Sequence, residues 1–267
     1  MAAEVLTQGG ARVALYDRMP SVGRKFLLAG KGGLNLTHSE PAAPFMARYG
    51  SREQDLEACL RLFGRDQLIA WVRELGFDVF TGSSGRVFPA DMKAAPLLRA
   101  WLHRLRAQGV RFHMRHRWLG WTDEAAQTLR LRTPQGEVQR THRCTVLALG
   151  GASWQRLGSD GAWVPLLAER GVEVAALQAA NCGFDVGQAA PDAAAKSGIN
   201  AGLNAGWSTY LREKFAGQPI KPVVVALTDV HGQALRKQGE FVLTDSGVEG
   251  SLIYEFSAPI RALINQT

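Results

Sequence analysis

The sequence predicts an α/β protein in which the second half of a dinucleotide-binding unit is followed by a mainly antiparallel β domain. Three observations predict this class. Residues 1–8 have helical character and lead, through a glycine pair, to an apolar segment that ends at Asp17. Residues 143–149 form an apolar run that ends in two glycines. Beyond residue 171, short strand-like segments alternate with links rich in Gly, Asn, Asp and Pro.

Asp17 is the first candidate binding residue. A helix, a short turn, a strand and an acid at the strand tip make up the second half of a dinucleotide-binding βαβ unit, in which the acid binds a ribose hydroxyl. The first half is absent, because no strand and no G-x-G-x-x-G motif stands before a helix that begins at residue 1. The alternative interpretation of Asp17 is a turn residue at the end of a strand.

Residues 23–40 combine glycine with positive charge. Glycine permits unusual backbone conformations and a close approach of N–H groups to a bound group, while cations and side-chain donors favour an anion. The residues concerned are Arg24, Lys25, Gly30, Lys31, Gly32, Gly33, Asn35 and Thr37. The combination predicts a flexible loop that binds a diphosphate. A plain surface loop after a strand is the alternative.

The remaining elements of the first domain, residues 1–171, follow from periodicity and turn residues. Prolines at 41 and 44 are expected to interrupt regular structure. Helical spacing predicts helices over 52–63, 67–75 and 95–108, and alternation predicts strands over 11–16, 77–81, 86–88, 110–121 (one strand or two), 129–132 and 137–140. Residues 143–149 are predicted to be a central parallel strand whose carboxyl end meets a ligand at Gly150 and Gly151.

The second domain, residues 172–267, is predicted to be an antiparallel sheet. Its strand-like segments are 172–177, 183–186, 222–227 and 240–243. Residues 189–206 are rich in Ala, Gly and Asn with little periodicity, which predicts a mobile loop. At the end of the first domain, the residues at 158–161 indicate a helix N-terminus capped by Ser159 or Asp160.

Composition excludes several classes. The chain has 267 residues, of which 46% are hydrophobic and 21% charged, so it is globular. No apolar run approaches the ~20 residues of a membrane span, and no secretory signal is present, which predicts a cytoplasmic protein without a membrane partner. Three scattered cysteines have no metal-ligand spacing, and we expect Cys59 and Cys144 to be core residues. No spacing suggests a hydrolytic triad or a zinc site.

Positive charge is concentrated between residues 91 and 123. The formal net charge is +7, and this region contains no carboxylate between Asp91 and Asp123. The basic stripe comprises Lys93, Arg99, Arg104, Arg106, Arg111, Arg115 and Arg117, with Trp101, Trp118 and Trp121 interleaved. It predicts either a surface that binds RNA or a solvated helix face followed by a strand, since Trp101 shares the apolar helix face with several leucines.

Six sequence blocks together resemble the BaiN/RdsA (YhiN-type) family of NAD(P)/FAD-dependent oxidoreductases. They are MAAEVLTQGGARVALYDR, GRKFLLAGKGGLNLTHSE, GRVFPADMKAAPLLRAWL, LALGGASWQRLGSDGAW, ANCGF and GEFVLTDSGVEGSLIYEFSAPIR, in the family's order. The resemblance implies an FAD-binding Rossmann-like domain and a β-barrel-like insertion domain that covers the flavin. Family members begin with a strand and a glycine-rich loop ahead of the first helix and continue beyond residue 267. The resemblance therefore implies a chain truncated at both ends, or one whose start is assigned too late, and such a chain is expected to bind FAD weakly.

The resemblance also assigns cofactor contacts. It implies that Gly150 and Gly151 pack against FAD, that Gly158 and Asp160 belong to the following loop, and that the strand near Trp118 passes the adenine. NAD(P)H is implied as the reductant. Where relatives carry a cysteine before the asparagine of the glycine-rich stretch, this sequence has Leu34, so no thiol and no general acid is assigned as a catalytic group.

Two functions remain open at this point. One is an FAD-dependent reductase of an activated C=C bond in a small ring molecule or in a uracil of RNA. The other is a non-catalytic basic protein that binds nucleic acid, or an inactive flavoprotein fragment.

Overall fold

The structure, a computed structural model, describes residues 1–30, 32–122, 127–187 and 207–266. Contacts divide the chain into two units, Met1–Val174 and Ala175–Thr267. The sequence places the boundary between residues 171 and 172. Lys31 and the loop predicted over 189–206 lie outside the described residues.

The first half of unit 1 alternates helices with short strands. In chain order the elements are α1 Ala2–Gln8, β1 Ala14–Asp17, α2 Arg24–Ala29, β2 Thr37–His38, α3 Ala42–Ala47, α4 Glu53–Leu62, α5 Arg65–Glu74, β3 Val79–Thr81, β4 Arg86–Pro89 and α6 Ala94–Ala107. The strands predicted over 77–81 and 86–88 are confirmed as β3 and β4, which form a hairpin with Phe80 opposite Phe88 in antiparallel register. Strand β2 extends it to a three-stranded sheet in the order β2-β4-β3.

The second half of unit 1 contains β5 Arg111–Met114, β6 Arg117–Trp121, β7 Thr128–Thr133, β8 Gly136–Thr141 and α7 Val164–Ala168. Strand β5 pairs in parallel with β1, from Ala14 opposite Arg111 to Asp17 opposite Met114. Strands β6, β7 and β8 form an antiparallel meander. The stretch predicted as one strand or two is two, and it divides at Arg115, which has a φ of 59°.

Helix α6 organises the core of unit 1. Its apolar side buries Ala94, Leu97, Leu98 and Leu105, as the helical spacing predicts. Leu97 packs with Leu34, Trp71 and Val72 in one buried cluster. Beside this cluster, the side chain of Glu4 in α1 is buried. Its carboxylate accepts hydrogen bonds from the indole N–H groups of Trp71 and Trp101 and forms an ion pair with Arg104. These contacts fix α1 against α5 and α6.

Unit 2 is an antiparallel sheet with helices. Its described elements are β9 Phe184–Asp185, α8 Thr209–Phe215, β10 Pro219–Thr228, β11 Ala234–Leu243, β12 Gly247–Glu249, α9 Ser251–Glu255 and α10 Ser257–Ile264. The strand order is β10-β11-β12-β9. Gly239 of β11 packs against Leu252 of α9, because a β-carbon built on Gly239 would lie 3.4 Å from Leu252 Cβ. The predicted antiparallel sheet is confirmed.

Residues 143–149 are not a strand, which corrects the prediction of a central parallel strand. Among the described residues, no backbone hydrogen bond joins this segment to a strand, and Val146 is 58% exposed. A cavity of about 1290 Å³ is lined by this segment and by β1. Apolar sequence alone does not form a strand when no neighbour supplies the backbone hydrogen bonds.

Four further predictions are wrong. Residues 172–177 form no strand, since no backbone hydrogen bond joins them to a described strand. Prolines 41 and 44 do not interrupt structure, because Pro41 is the N-cap of α3 and Pro44 lies in its first turn, where no intrahelical N–H bond is lost. Cys59 and Cys144 are exposed rather than core residues, because α4 buries none of its residues and Cys144 lies at the open cavity. Residues 24–29, predicted as part of a loop, form α2.

Candidate functional site

A cavity of about 320 Å³ lies at the carboxyl end of β1 in unit 1. Seven of the residues proposed from sequence line it, namely Asp17, Arg24, Lys25, Trp118, Gly150, Gly158 and Asp160. Another five do not line it, namely Gly30, Gly32, Gly33, Asn35 and Gly151. The fold thus brings together residues from the strand tip, from α2, from β6 and from the segment that follows residue 149.

Asp17 occupies the tip of β1. Its Oδ1 accepts a hydrogen bond from the backbone N–H of Met19 at 2.8 Å, and its carbonyl accepts one from His116 N–H at 2.9 Å. These bonds fix the turn after β1 against the turn between β5 and β6. Among the described residues, Oδ2 of Asp17 has no hydrogen bond, so it is a free acceptor at the cavity wall.

Positive charge dominates the cavity wall. Arg24 and Lys25 begin α2, where Arg24 Nε donates to Ser21 Oγ and Lys25 Nζ donates to Ser153 Oγ, each at 3.1 Å. Arg18 and Arg117 also line the cavity. Four permanent cations therefore face two carboxylates, Asp17 and Asp160. Such a balance favours an anionic ligand.

The glycine-rich stretch makes contacts that the sequence analysis did not anticipate. A β-carbon on Gly30 would lie 2.4 Å from the β-carbon of Ala94, and one on Gly33 would lie 2.6 Å from Met92 Cε. Both N–H groups are used within the chain, since Gly30 donates to Phe26 and Gly33 donates to Gly30. These glycines therefore allow the stretch to pack closely on the start of α6. Gly32 and Asn35 are exposed.

The segment 150–163 forms the opposite wall. Ser159 is buried and donates through Oγ to the carbonyl of Gly151 at 2.9 Å, while the indole of Trp163 donates to the carbonyl of Gly150 at 3.0 Å. Gly158 has a φ of 95°, and a β-carbon there would come 2.8 Å from Met19 Cγ. A side chain at position 158 would therefore separate this wall from the tip of β1.

Asp160 is a turn residue as well as part of the cavity wall. Its Oδ1 accepts the N–H of Ala162 at 3.2 Å, and its Oδ2 pairs with Arg18. Burial alone would raise the pKa of the Asp160 carboxyl. The hydrogen bonds from Arg18 and Ala162 and the charges of Arg18 and Arg117 outweigh burial and hold that pKa below its usual value. The helix that follows begins only at Val164.

Arg18, Tyr16 and His116 line the cavity but were not proposed from sequence. The signal for Arg18 was its position directly after the strand-tip acid. Tyr16 stacks on His113 with ring centroids 4.8 Å apart, and its hydroxyl lies 3.1 Å from His142 Nε2. Burial, followed by the nearby positive charges, lowers the pKa of His113. No periodicity or spacing in the sequence predicts that these rings meet.

Trp118 lies between the two cavities and lines both. Its ring meets that of Trp121 edge to face, with centroids 4.7 Å apart. Among the described residues, its buried indole N–H has no hydrogen-bond partner. A flat apolar ring at the wall of a cationic cavity is suited to stack against a planar base.

The sequence of this chain matches a known protein family. The model of the HI0933-like protein Rossmann domain matches residues 1–255. The chain belongs to this family of FAD-binding flavoproteins. Membership in the HI0933-like family confirms the resemblance drawn from the sequence blocks and the α/β, Rossmann-like fold class.

A curated relative gives one further likeness. The 3-dehydro-bile acid delta(4,6)-reductase of Clostridium scindens is 27% identical to this chain over 172 residues. The match covers 62% of this chain and 39% of the relative. At this identity, the likeness supports the family and leaves the substrate of the HI0933-like chain to be inferred from its own residues.

The described residues show neither a membrane-spanning helix nor a metal-binding group. None of the described helices combines the length and the apolar character that crossing a bilayer requires. Among the same residues, no group of three His, Cys, Asp or Glu side chains is arranged to hold a metal ion.

Proposed function

We propose that this protein is a flavin-dependent oxidoreductase that passes hydride from NAD(P)H through FAD to an activated C=C bond. The substrate class is a small ring enone or a uracil-type ring. The observation that carries the proposal is the cavity at the tip of β1, where a free carboxylate oxygen, four cations and three glycines come together. The family match and the reductase name of the Clostridium scindens relative support it.

The residues of the cavity fit the nucleotide half of FAD. Oδ2 of Asp17 is placed to accept a hydrogen bond from a ribose hydroxyl. Arg24 and Lys25 would balance the charge of the diphosphate. Gly150 and Gly158 let the backbone approach the ligand closely. A volume of about 320 Å³ lies at the lower end for ligand pockets, which suits part of a dinucleotide.

Each side chain has a defined task in this proposal. A bound flavin supplies the chemistry, since it accepts a hydride and passes it on. Asp17 would orient the adenosine by accepting a hydrogen bond from a ribose hydroxyl. Trp118 offers a face for the adenine, and the cations around α2 hold the phosphates in place. The protein contributes binding and orientation rather than a nucleophile.

The test is an equilibrium titration of the purified protein with FAD, followed by flavin fluorescence. Saturable binding is expected, and Asp17→Ala should weaken it by about 1.5–3 kcal/mol, the range for a hydrogen bond to a charged group. Asp91→Ala is the matched control. Asp91 Oδ1 accepts a hydrogen bond from the backbone N–H of Lys93 at 3.1 Å, as Asp17 does from Met19, but Asp91 does not line the cavity. Equal affinity of Asp17→Ala and wild type would remove Asp17 from the site.

RNA is the second candidate substrate, and the observation that favours it is the exposure of the basic stripe. Arg99, Arg111 and Arg115 are exposed and make no ion pair within the described residues. Arg104 is not part of such a surface, because it pairs with Glu4 and Glu74. Docking on RNA phosphates would give both affinity and rapid association.

A salt titration tests the RNA candidate. Replacing Arg99, Arg111 and Arg115 by Gln should lower the affinity for RNA and flatten its salt dependence by roughly 0.7–0.9 in the log–log slope for each lost contact. FAD binding should persist. The control replaces Arg52, Arg61 and Arg65, which pair with acids on α4 and α5. Equal RNA affinity of both triple variants would leave the stripe as an ordinary solvated surface.

A further inference from the structure

The turn after β1 is joined to the loop 154–160 by one guanidinium group. Arg18 Nη1 pairs with Asp160 Oδ2, and Arg18 Nη2 donates to the carbonyl of Gln155 at 3.1 Å. Both side chains are about three-quarters buried, with 25% of Arg18 and 24% of Asp160 exposed. Arg18 therefore contacts the loop near its start and near its end.

The loop is closed on itself between these two contacts. Trp154 and Ser159 exchange backbone hydrogen bonds of 3.1 and 3.0 Å. Gly158, near the end of the loop, lies so close to Met19 that a β-carbon there would be 2.8 Å from Met19 Cγ. The loop is thus a small rigid unit whose position on the tip of β1 is set by Arg18 and by this close approach.

The position of the loop in turn sets the wall of the cavity. Ser159, next to Asp160, holds the carbonyl of Gly151 at 2.9 Å. Through Ser159, a shift of Asp160 would move Gly151 and with it the neighbouring Gly150, which lines the cavity. Arg18 and Asp160 can therefore influence ligand binding through position, without a contact of their own to the ligand.

We propose that the Arg18–Asp160 ion pair is a clasp that holds the loop 154–160 in the position required for binding the dinucleotide. Both residues are positioning residues. The inference rests on the proposed FAD site. It differs from direct binding of the diphosphate by Arg18, in which Asp160 would only compete with the ligand for the guanidinium group.

Neutral substitutions separate the clasp from direct binding. Asp160→Asn keeps an oxygen for the N–H of Ala162 and removes the charge. The clasp predicts that Asp160→Asn and Arg18→Gln each weaken FAD binding by about fivefold, and that the double variant is no weaker than either single variant, since contacting residues are not additive. Asp160→Asn with unchanged or tighter binding would overturn the clasp and assign Arg18 to the diphosphate.

Hydrogen exchange provides a readout that needs no cofactor. In the protein without FAD, the Ser159 N–H, which donates to Trp154, should exchange faster in both single variants than in wild type. The reversed pair, Arg18→Asp with Asp160→Arg, should restore part of the protection, because it remakes the ion pair but not the hydrogen bonds to Gln155 and Ala162. Unchanged exchange in the single variants would overturn the clasp. If wild type binds no FAD, the proposed function fails while this measurement still decides the clasp.

A second ion pair serves as the control. Arg132 and Glu137 pair at 3.0 Å across the β7–β8 hairpin, with 60% and 48% of their side chains exposed. Replacing both by Gln breaks an ion pair of the same type outside the cavity. FAD affinity and Ser159 exchange equal to wild type are expected there. An equal loss in this control would mean that any change of surface charge produces the effect, which would overturn the clasp.

Discussion

Two glycine-bearing segments of unit 1, residues 23–36 and 150–161, use glycine for different purposes. In the first, Gly30 and Gly33 lie against Ala94 and Met92, and their N–H groups are bonded within the chain. In the second, Gly150 and Gly158 line the cavity at the tip of β1, and Gly158 also packs closely on Met19. A glycine in a sequence therefore indicates that something approaches the backbone closely, but the fold decides whether it is a helix or a ligand.

The two segments also differ in what their other side chains do. The first contributes Leu34 to the core and Arg24 and Lys25 to the cavity. In the second, Ser159 and Trp163 hydrogen-bond the glycine carbonyls. In the first segment, the glycines Gly30 and Gly33 thus serve packing, while the charged residues Arg24 and Lys25 line the cavity. We expect substitutions of Gly30 and Leu34 in the first segment to change mainly stability, and substitutions in the second segment to change mainly binding.

Leu34→Ala should give the largest effect. Leu34 is 4% exposed in the core formed with Val72 and Leu97, so the truncation should lower the free energy of unfolding by about 2–4 kcal/mol. Urea denaturation measures this, and FAD affinity of the folded protein should be unchanged. Leu62→Ala is the control, because Leu62 is 81% exposed. If Leu34→Ala were as stable as wild type but no longer bound FAD, the prediction would be wrong, and Leu34 would belong to the FAD site.

Gly30→Ala should come next. The added methyl group would lie 2.4 Å from Ala94 Cβ, and such overpacking costs about 1–3 kcal/mol. Thermal or urea unfolding checks the loss. Gly32→Ala, two residues on, meets no atom within 4 Å and should leave stability within about 0.5 kcal/mol of wild type. If Gly30→Ala and Gly32→Ala have the same free energy of unfolding, close packing against α6 does not explain why position 30 is a glycine.

Gly151→Ala should show the opposite pattern. A β-carbon there meets no atom within 4 Å, so stability should change by less than about 0.5 kcal/mol. Gly151 does not line the cavity itself but follows Gly150, which does, so the added methyl group should cost at most about 1 kcal/mol of FAD binding, by crowding a ligand that extends beyond the cavity. Titration with FAD and urea denaturation, made on the same preparation, compare the two effects. Unchanged binding would place Gly151 in a turn that the ligand does not reach.

Much of the fold was predictable because it depends on local patterns. The spacing of Leu97, Leu98 and Trp101 predicted α6, and alternation over 129–132 and 137–140 predicted β7 and β8. Residues 143–149 show the limit of such patterns. Their composition is that of a buried strand, yet a strand also requires neighbours that bond to its backbone, and sequence composition carries no record of them.

The cavity lining was predictable where chemistry follows an element directly. Asp17 was proposed from its position at the tip of a strand, and Arg24 and Lys25 from their charge, and all three line the cavity. Arg18 was not proposed, because its partner Asp160 lies far along the chain. The packing of Gly30 on Ala94 was missed for the same reason, since the partner is distant in sequence.

The acid side of the stability profile should show the smallest effect, and it concerns the second segment again. The folded protein holds the pKa of Asp160 below its ordinary value of 3.8. A carboxyl with a lowered pKa stabilises the folded state above its ordinary pKa, and this contribution is lost as the pH falls through the folded value. For a partly exposed ion pair the contribution is at most about 1 kcal/mol. The stabilities of wild type and Asp160→Asn in urea denaturation should therefore differ at pH 5–7, and the difference should shrink as the pH falls below 3.8. A difference that stays constant as the pH falls below 3.8 would show that Asp160 stabilises the loop through its turn geometry rather than through its charge.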